Sequence, residues 1–181
     1  RCKGRPPPPP GPPTHSVASH IDPEPEPEDT SRRNSIPSPN TSKNTLETNV
    51  IVIDPNNSNT LYLGTDDDGL YKSTNGGESW QKMYFPNVPN TFGVGDIVVD
   101  PKNSNNVYVG TLDYFRLAVD PGRGIIGEYG IFKTTNAGET WEEFNDGLIY
   151  PGIYSLVIDK DNRTLLAGTR RGGIFWIKLE N

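Results

Sequence analysis

The sequence repeats itself. Val50-Ile-Val-Ile-Asp54 leads through a polar stretch to Leu61-Tyr-Leu-Gly64-Thr65. Asp96-Ile-Val-Val-Asp100 leads to Val107-Tyr-Val-Gly110-Thr111, and Ser155-Leu-Val-Ile-Asp159 leads to Leu165-Leu-Ala-Gly168-Thr169. The distance from Asp to Gly is 10, 10 and 9 residues. A second block runs from Gly69 to Trp80 and again from Gly130 to Trp141, while the third unit keeps only its start, Gly173-Ile-Phe-Trp-Ile177. Such repetition constrains the fold first, because each unit buries its apolar face only against its neighbours.

Within a unit the apolar runs are four to seven residues long, β-branched, and separated by turn residues such as Asp54-Pro-Asn-Asn-Ser-Asn59. Runs this short suit strands and are too short for stable helices. Strands are expected at Val50–Asp54, Leu61–Thr65, Gly69–Thr74 and Ser79–Phe85 of the first unit. Four antiparallel strands per repeat of about 45 residues describe a β-propeller blade. The expected fold is therefore all-β: a partial β-propeller of about three blades of short antiparallel strands, over residues 46–90, 91–150 and 151–181.

The segments Ser73-Thr-Asn75-Gly-Gly77-Glu-Ser79-Trp80 and Thr134-Thr-Asn136-Ala-Gly138-Glu-Thr140-Trp141 resemble the Asp-box, or BNR repeat, of sialidase-like propellers. That family also includes xyloglucan-cleaving enzymes, sortilin-type receptors and a photosystem II assembly factor. Both copies depart from the family by carrying Asn75 and Asn136 where Asp is usual. The resemblance spans about residues 46–179. It implies a hairpin turn between the third and fourth strands, in which Ser73 or Thr134 and the Asn bond the turn backbone. Gly77 and Gly138 would supply positive φ, and Trp80 and Trp141 would pack against the hairpin base. These are structural roles. The resemblance also weakly favours an extracytoplasmic location, and it says little about activity, because one fold hosts many functions.

In propellers of this type, ligands usually meet the loops between strands two and three and the connections between blades. In the first unit that loop is Asp66-Asp67-Asp68, and in the third it is Arg170-Arg171-Gly172. In the second it is 15 residues longer, because Thr111 to Gly130 spans 19 positions where Thr65 to Gly69 spans 4. The insertion carries Tyr114, Phe115 and Arg116, and the connections between blades add Phe92 and Tyr150. Long loops on a rigid scaffold are where function is commonly placed. The candidate ligand or partner residues are therefore Asp66, Asp67, Asp68, Phe92, Tyr114, Phe115, Arg116, Tyr150, Arg170 and Arg171. Each also has an ordinary reading as a solvated loop residue.

Composition divides the chain. Twelve of 18 prolines lie in residues 1–40, and all 17 aromatic residues lie between Tyr62 and Trp176. Residues 1–45 are read as a disordered proline-rich tail or linker, since without large apolar side chains nothing offsets the entropy of ordering. Its polyproline run, Pro6–Pro10, is also the form that SH3-like partners bind. Residues 1–40 have five basic and five acidic residues, so the net charge of -6 belongs to residues 41–181.

Several classes find no support. The acidic balance argues against nucleic acid, and no apolar run reaches the roughly 20 residues of a membrane helix. His15 and His20 both lie in the tail, which leaves the blades without a histidine for a triad, a metal or a proton relay. The spacing after Asp66 does not fit an EF-hand loop, because its twelfth position is Gly77. No catalytic residue, metal site or cofactor is assigned. The favoured reading is a non-catalytic binding or assembly module with a protein or glycan ligand. The alternatives are part of a glycoside hydrolase, which needs two positioned carboxyl groups or a Tyr nucleophile, and a structural repeat segment. Three blades do not close a propeller, so further blades are expected from a longer chain or from other copies.

Overall fold

The computed structural model describes residues 46–89, 92–112, 128–161 and 163–179. The proline-rich segment and the insertion residues Tyr114, Phe115 and Arg116 lie outside the described residues. Eleven strands form three antiparallel sheets among them, with no helix. The first sheet runs β1 (Thr48–Asp54), β2 (Asn57–Thr65), β3 (Leu70–Ser73) and β4 (Gln81–Met83), each strand beside the next. The second repeats that order with β5 (Val94–Val99), β6 (Val107–Thr111), β7 (Ile131–Thr134) and β8 (Glu142–Glu143). The third has β9 (Ile153–Asp159), β10 (Thr164–Thr169) and β11 (Gly173–Lys178). Every meander follows from the sequence: a β-branched run, an Asp-anchored turn, a second run ending in Gly-Thr, and a third.

The expected fourth strand is shorter than its apolar pattern suggested. Of Ser79–Phe85 only Gln81–Met83 pairs with β3. Ser79 is held by the preceding turn, because its N–H donates to Asn75 Oδ1 at 3.0 Å. Phe85 turns inward instead, stacking 4.6 Å from Phe132 of the next sheet.

The first strand of each sheet packs beside the first strand of the next, β1 against β5 and β5 against β9. Two cores result. One lies between the first and second sheets, around Tyr62, Leu70, Phe85, Phe92, Val109 and Phe132. The other lies between the second and third, around Tyr108, Ile131, Ile153, Leu156 and Leu165. Strand register explains the division. In the second sheet Ile97, Val109 and Phe132 lie opposite one another and face the first sheet, while Val98, Tyr108 and Lys133 share the other face.

The repeated aspartates tie each sheet to the next. Asp54 accepts a hydrogen bond from Ser104 Oγ at 2.6 Å, and Asp100 is bridged by Arg163 at 2.9 and 2.8 Å. Asp100 is fully buried. Burial alone would raise its pKa, but the hydrogen bonds from Arg163, the Lys102 amide and Asn106 outweigh it and hold the carboxyl below its ordinary value.

Candidate functional site

The two ends of the sheets are built differently. At one end lie the turns after β1 and β5 and the two Asn-containing hairpin turns. In the first hairpin turn Ser73 Oγ accepts the Gly77 N–H at 2.9 Å and donates to Asn75 Oδ1 at 3.0 Å. Asn75 Oδ1 also accepts the Ser79 N–H, and its Nδ2 donates to Ser79 Oγ at 3.0 Å. Thr134, Asn136, Gly138 and Thr140 repeat each of these bonds, at 2.7–3.0 Å. Gly77 and Gly138 both have φ of 94°. The carboxamide thus makes the turn bonds without a charge.

The two tryptophans separate. Trp141 is buried, with its ring 4.8 Å from Phe85. Trp80 is only partly buried and donates Nε1–H to the Gly77 carbonyl at 3.0 Å. Each ring lies beside the glycine of its own turn, Gly77 or Gly138, but among the described residues only Trp141 is also covered by a neighbouring sheet.

At the other end one threonine per sheet closes the loop between the second and third strands. Thr65 Oγ1 donates to the Gly69 carbonyl at 2.9 Å and accepts the Asp68 N–H at 2.9 Å. Thr111 Oγ1 donates to the Gly130 carbonyl at 3.0 Å and accepts the Tyr129 N–H at 2.7 Å. Thr169 Oγ1 does the same with Gly173 and Gly172, both at 3.0 Å. The long second loop therefore leaves and returns through the same clamp as the three-residue loops. Gly-Thr in all three units was the sequence signal for these residues, which their strand assignment concealed. Backbone bonds join each clamp to the chain entering the sheet: Asp66 N–H to the Glu47 carbonyl, Leu112 to Gly93 and Arg170 to Gly152, at 3.0, 2.9 and 2.8 Å.

Several candidate residues meet at this end, between the second and third sheets. Arg170 pairs with Glu128 at 2.5 Å. Tyr150, 41% exposed, lies against Gly172, where an added Cβ would fall 2.4 Å from its Cδ2. Arg171 is exposed beside them. In the first sheet Asp67 is exposed, but Asp68 is engaged by the Tyr71 hydroxyl and by Lys82, both at 2.5 Å. Burial, then the Asp68 hydrogen bond, raise the Tyr71 phenol above its usual range. Asp66 Oδ1 is buried with no hydrogen-bond partner among the described residues.

Phe92 is a correction. It is buried in the core, 5.1 Å from Phe85 and against Gly69, and offers no surface to a ligand. Its position in a connection between sheets suggested exposure. The close backbone contact that buries it, Gly69 N–H to the Phe92 carbonyl at 2.9 Å, has no sequence pattern of its own.

No three His, Cys, Asp or Glu residues gather in a metal-binding arrangement among the described residues. At the hairpin-turn end a cleft of about 570 Å³ opens between the second and third sheets, bordered by Tyr108, Lys133, Arg163 and Lys178. In the first sheet the equivalent pair, Tyr62 and Lys72, donates to the Ala137 carbonyl of the next hairpin turn at 3.2 and 2.7 Å.

No protein-family model matches the chain, and no curated protein does. Solved structures do. An ancestral GH74 enzyme is 24% identical with a TM-score of 0.51, over 74% of this chain and 18% of that one. A GH74 enzyme of Niastella koreensis is 26% identical with a TM-score of 0.51, over 71% and 19%. YCF48 bound to D1 peptide is 13% identical with a TM-score of 0.53, over 76% and 39%. The chain is a partial β-propeller. It spans about a fifth of the length of the GH74 enzymes it matches. Its three sheets are consecutive blades, and β1, β5 and β9, packed beside one another, are their first strands. No helix among the described residues is long and apolar enough to cross a membrane.

Proposed function

We propose that the chain is a non-catalytic binding or assembly module whose partner face is the loop end of its blades. That face comprises the loops 66–68, 112–129 and 170–172, with Tyr150 between two of them. The observation that carries this reading is the threonine clamp. Thr65, Thr111 and Thr169 anchor the three loops at the same end of three successive blades, and they give the long insertion a rigid base. Asp67, Arg171 and Tyr150 contribute exposed charge and an aromatic surface there. A protein or peptide partner suits such a surface, and the peptide bound by YCF48 in the same fold favours that class.

The clamp also supplies the test. Replacing residues 113–127 by a short Gly-Ser linker keeps the buried Leu112, the Glu128–Arg170 pair and both ends of the connection in place. The variant is expected to fold as the parent does and to lose its partner in a pull-down. Unchanged capture by the shortened variant would refute the assignment.

A glycoside-hydrolase reading draws on the likeness to GH74 enzymes. It requires a pair of positioned carboxyl groups, and the Asp68 carboxylate is already held by Tyr71 and Lys82. Glycan hydrolysis abolished by Asp68→Ala or Asp113→Ala would establish that reading in place of the binding one.

A further inference from the structure

Six lysines lie among the described residues, and the surroundings of one set it apart. Lys72 stands in β3 toward the hairpin-turn end, away from the proposed partner face. Its Nζ donates to the Ala137 carbonyl of the second blade at 2.7 Å and lies 5.7 Å from the centre of the Tyr62 ring. Neither partner is an anion. Lys82 of β4 is paired with Asp68, whereas Lys72 has no carboxylate within salt-bridge distance among the described residues. Withdrawal from water lowers the pKa of the Lys72 amine below its ordinary value, against the opposing pull of Glu139 and then of Asp54. The amine is also reachable. A cleft of about 220 Å³ opens between the two blades, bordered by Lys72, Gln81, Lys82, Tyr84, Ala137 and Glu139. Both of its walls are internal to the chain, since β3 and β4 form one and the hairpin turn of the second blade forms the other.

We propose that Lys72 is an acylation site that takes a small acyl group from an acyl phosphate. A lysine becomes a nucleophile where it is desolvated without a compensating anion. In the step, the neutral Nζ attacks the acyl carbon. An N–C bond forms, and the C–O bond to the phosphate breaks. Phosphate leaves with that electron pair, and the amine proton passes to phosphate or water. The product is an uncharged amide. The size of the cleft favours a small donor. Lys82 at its border favours an anionic one, because its pair with Asp68 uses one of three N–H donors and the others are available to a phosphate. The junction between the blades survives the modification, since Tyr62 keeps its own bond to the Ala137 carbonyl at 3.2 Å.

Acetyl phosphate is the probe. The full chain is incubated with it at neutral pH, and each lysine is followed by peptide mass spectrometry. Lys72 is expected to be acetylated about fivefold faster than the exposed Lys102 and Lys160, because a lowered pKa enlarges the neutral fraction. Its rate should level off at a lower pH than theirs. The preference should vanish in urea, where every lysine meets water alike. Two exposed positions tune the amine without disturbing the core. Gln81 lies opposite Lys72 in the register of β3 and β4, so Gln81→Glu gives the amine a carboxylate partner and should slow its acetylation several-fold. Glu139→Gln removes an opposing charge and should quicken it. Both variants are expected to keep the parent's circular dichroism. A Lys72 no faster than the exposed lysines, a preference that persists in urea, or a rate indifferent to both variants would overturn the proposal.

Discussion

Gly110→Ala should destabilise the protein although it adds one methyl group to a strand. Gly110 lies in β6, opposite Asp96 and Ile131, and it has no positive φ, so its backbone does not demand glycine. The demand comes from the next blade. An added Cβ would lie 2.4 Å from Ile153 Cγ2 and 2.7 Å from Ile153 Cβ, where ordinary contact begins at 3.4 Å. The strands must separate by about 1 Å, because Ile153 is fully buried and its Cβ is fixed to its own strand. Overpacking of this kind costs about 1–3 kcal/mol. Removing a glycine from a strand returns about 0.5–1 kcal/mol. The expected net loss is about 1–2 kcal/mol, and Gly64→Ala should behave alike. Gly168→Ala, where only a rotatable hydroxyl is near, should be neutral or slightly stabilising. Urea denaturation followed by far-UV circular dichroism reads the difference as a shift in midpoint at constant slope. A Gly110→Ala variant as stable as Gly168→Ala would refute the packing argument.

The tryptophans should differ. Trp141→Ala is expected to cost about 3–5 kcal/mol, as for a buried aromatic, and Trp80→Ala at least about 1 kcal/mol less, measured by the same melts. Arg163→Ala leaves the buried Asp100 charge without its partner and should cost about 3 kcal/mol. The Asp100 carboxyl is depressed on folding, so its contribution is present above the unfolded pKa of about 3.9 and is lost as pH falls through the folded value. Wild-type stability should therefore fall as pH drops below about 4, and Asp100→Asn should flatten that slope in acid titrations. Ala137 has φ of 55° where the first blade has Gly76 at 70°. Relief of that strain, less the chain entropy of glycine, makes Ala137→Gly neutral or stabilising by up to about 1 kcal/mol in thermal melts.

The blades were legible in the sequence because their determinants are local and repeated. The run ending in Asp54, the turn after it and the Gly64-Thr65 terminus each act within a few residues, and threefold recurrence made them visible. The hairpin turns were equally plain, since every bond from Ser73 to Ser79 is made inside seven residues. Contacts between blades were not legible. Phe92 and Trp80 have similar sequence settings beside turns, yet Phe92 is buried by Phe85 and Gly69 while Trp80 is not, because only one of them has a blade against it. Arg163 reads as a loop cation, and its partner Asp100 lies 63 residues away. The pairing of Arg170 with Glu128, across 42 residues, was hidden in the same way.

The threonine clamps join the stability of the scaffold to its proposed function, and Thr111 separates the two. Thr111 is fully buried, and its hydroxyl serves both ends of the long loop. Valine has nearly the same shape but no hydroxyl. Thr111→Val leaves the Tyr129 N–H without its acceptor and takes one of two donors from the Gly130 carbonyl, which keeps the bond from the Thr111 N–H at 2.9 Å. Taking the acceptor from this part-buried donor costs about 1 kcal/mol, toward the low end for an unsatisfied group. Thr169→Val breaks the same pair of bonds where the groups are exposed to water, so it should cost less than half as much. If residues 112–129 hold the partner from a fixed base, Thr111→Val should weaken capture under conditions where the protein remains folded, and Thr169→Val should weaken it less. Equal capture by both variants, with the stability loss at Thr111 confirmed, would mean that the loop binds without its anchor, and the clamp would then be a device of the fold alone.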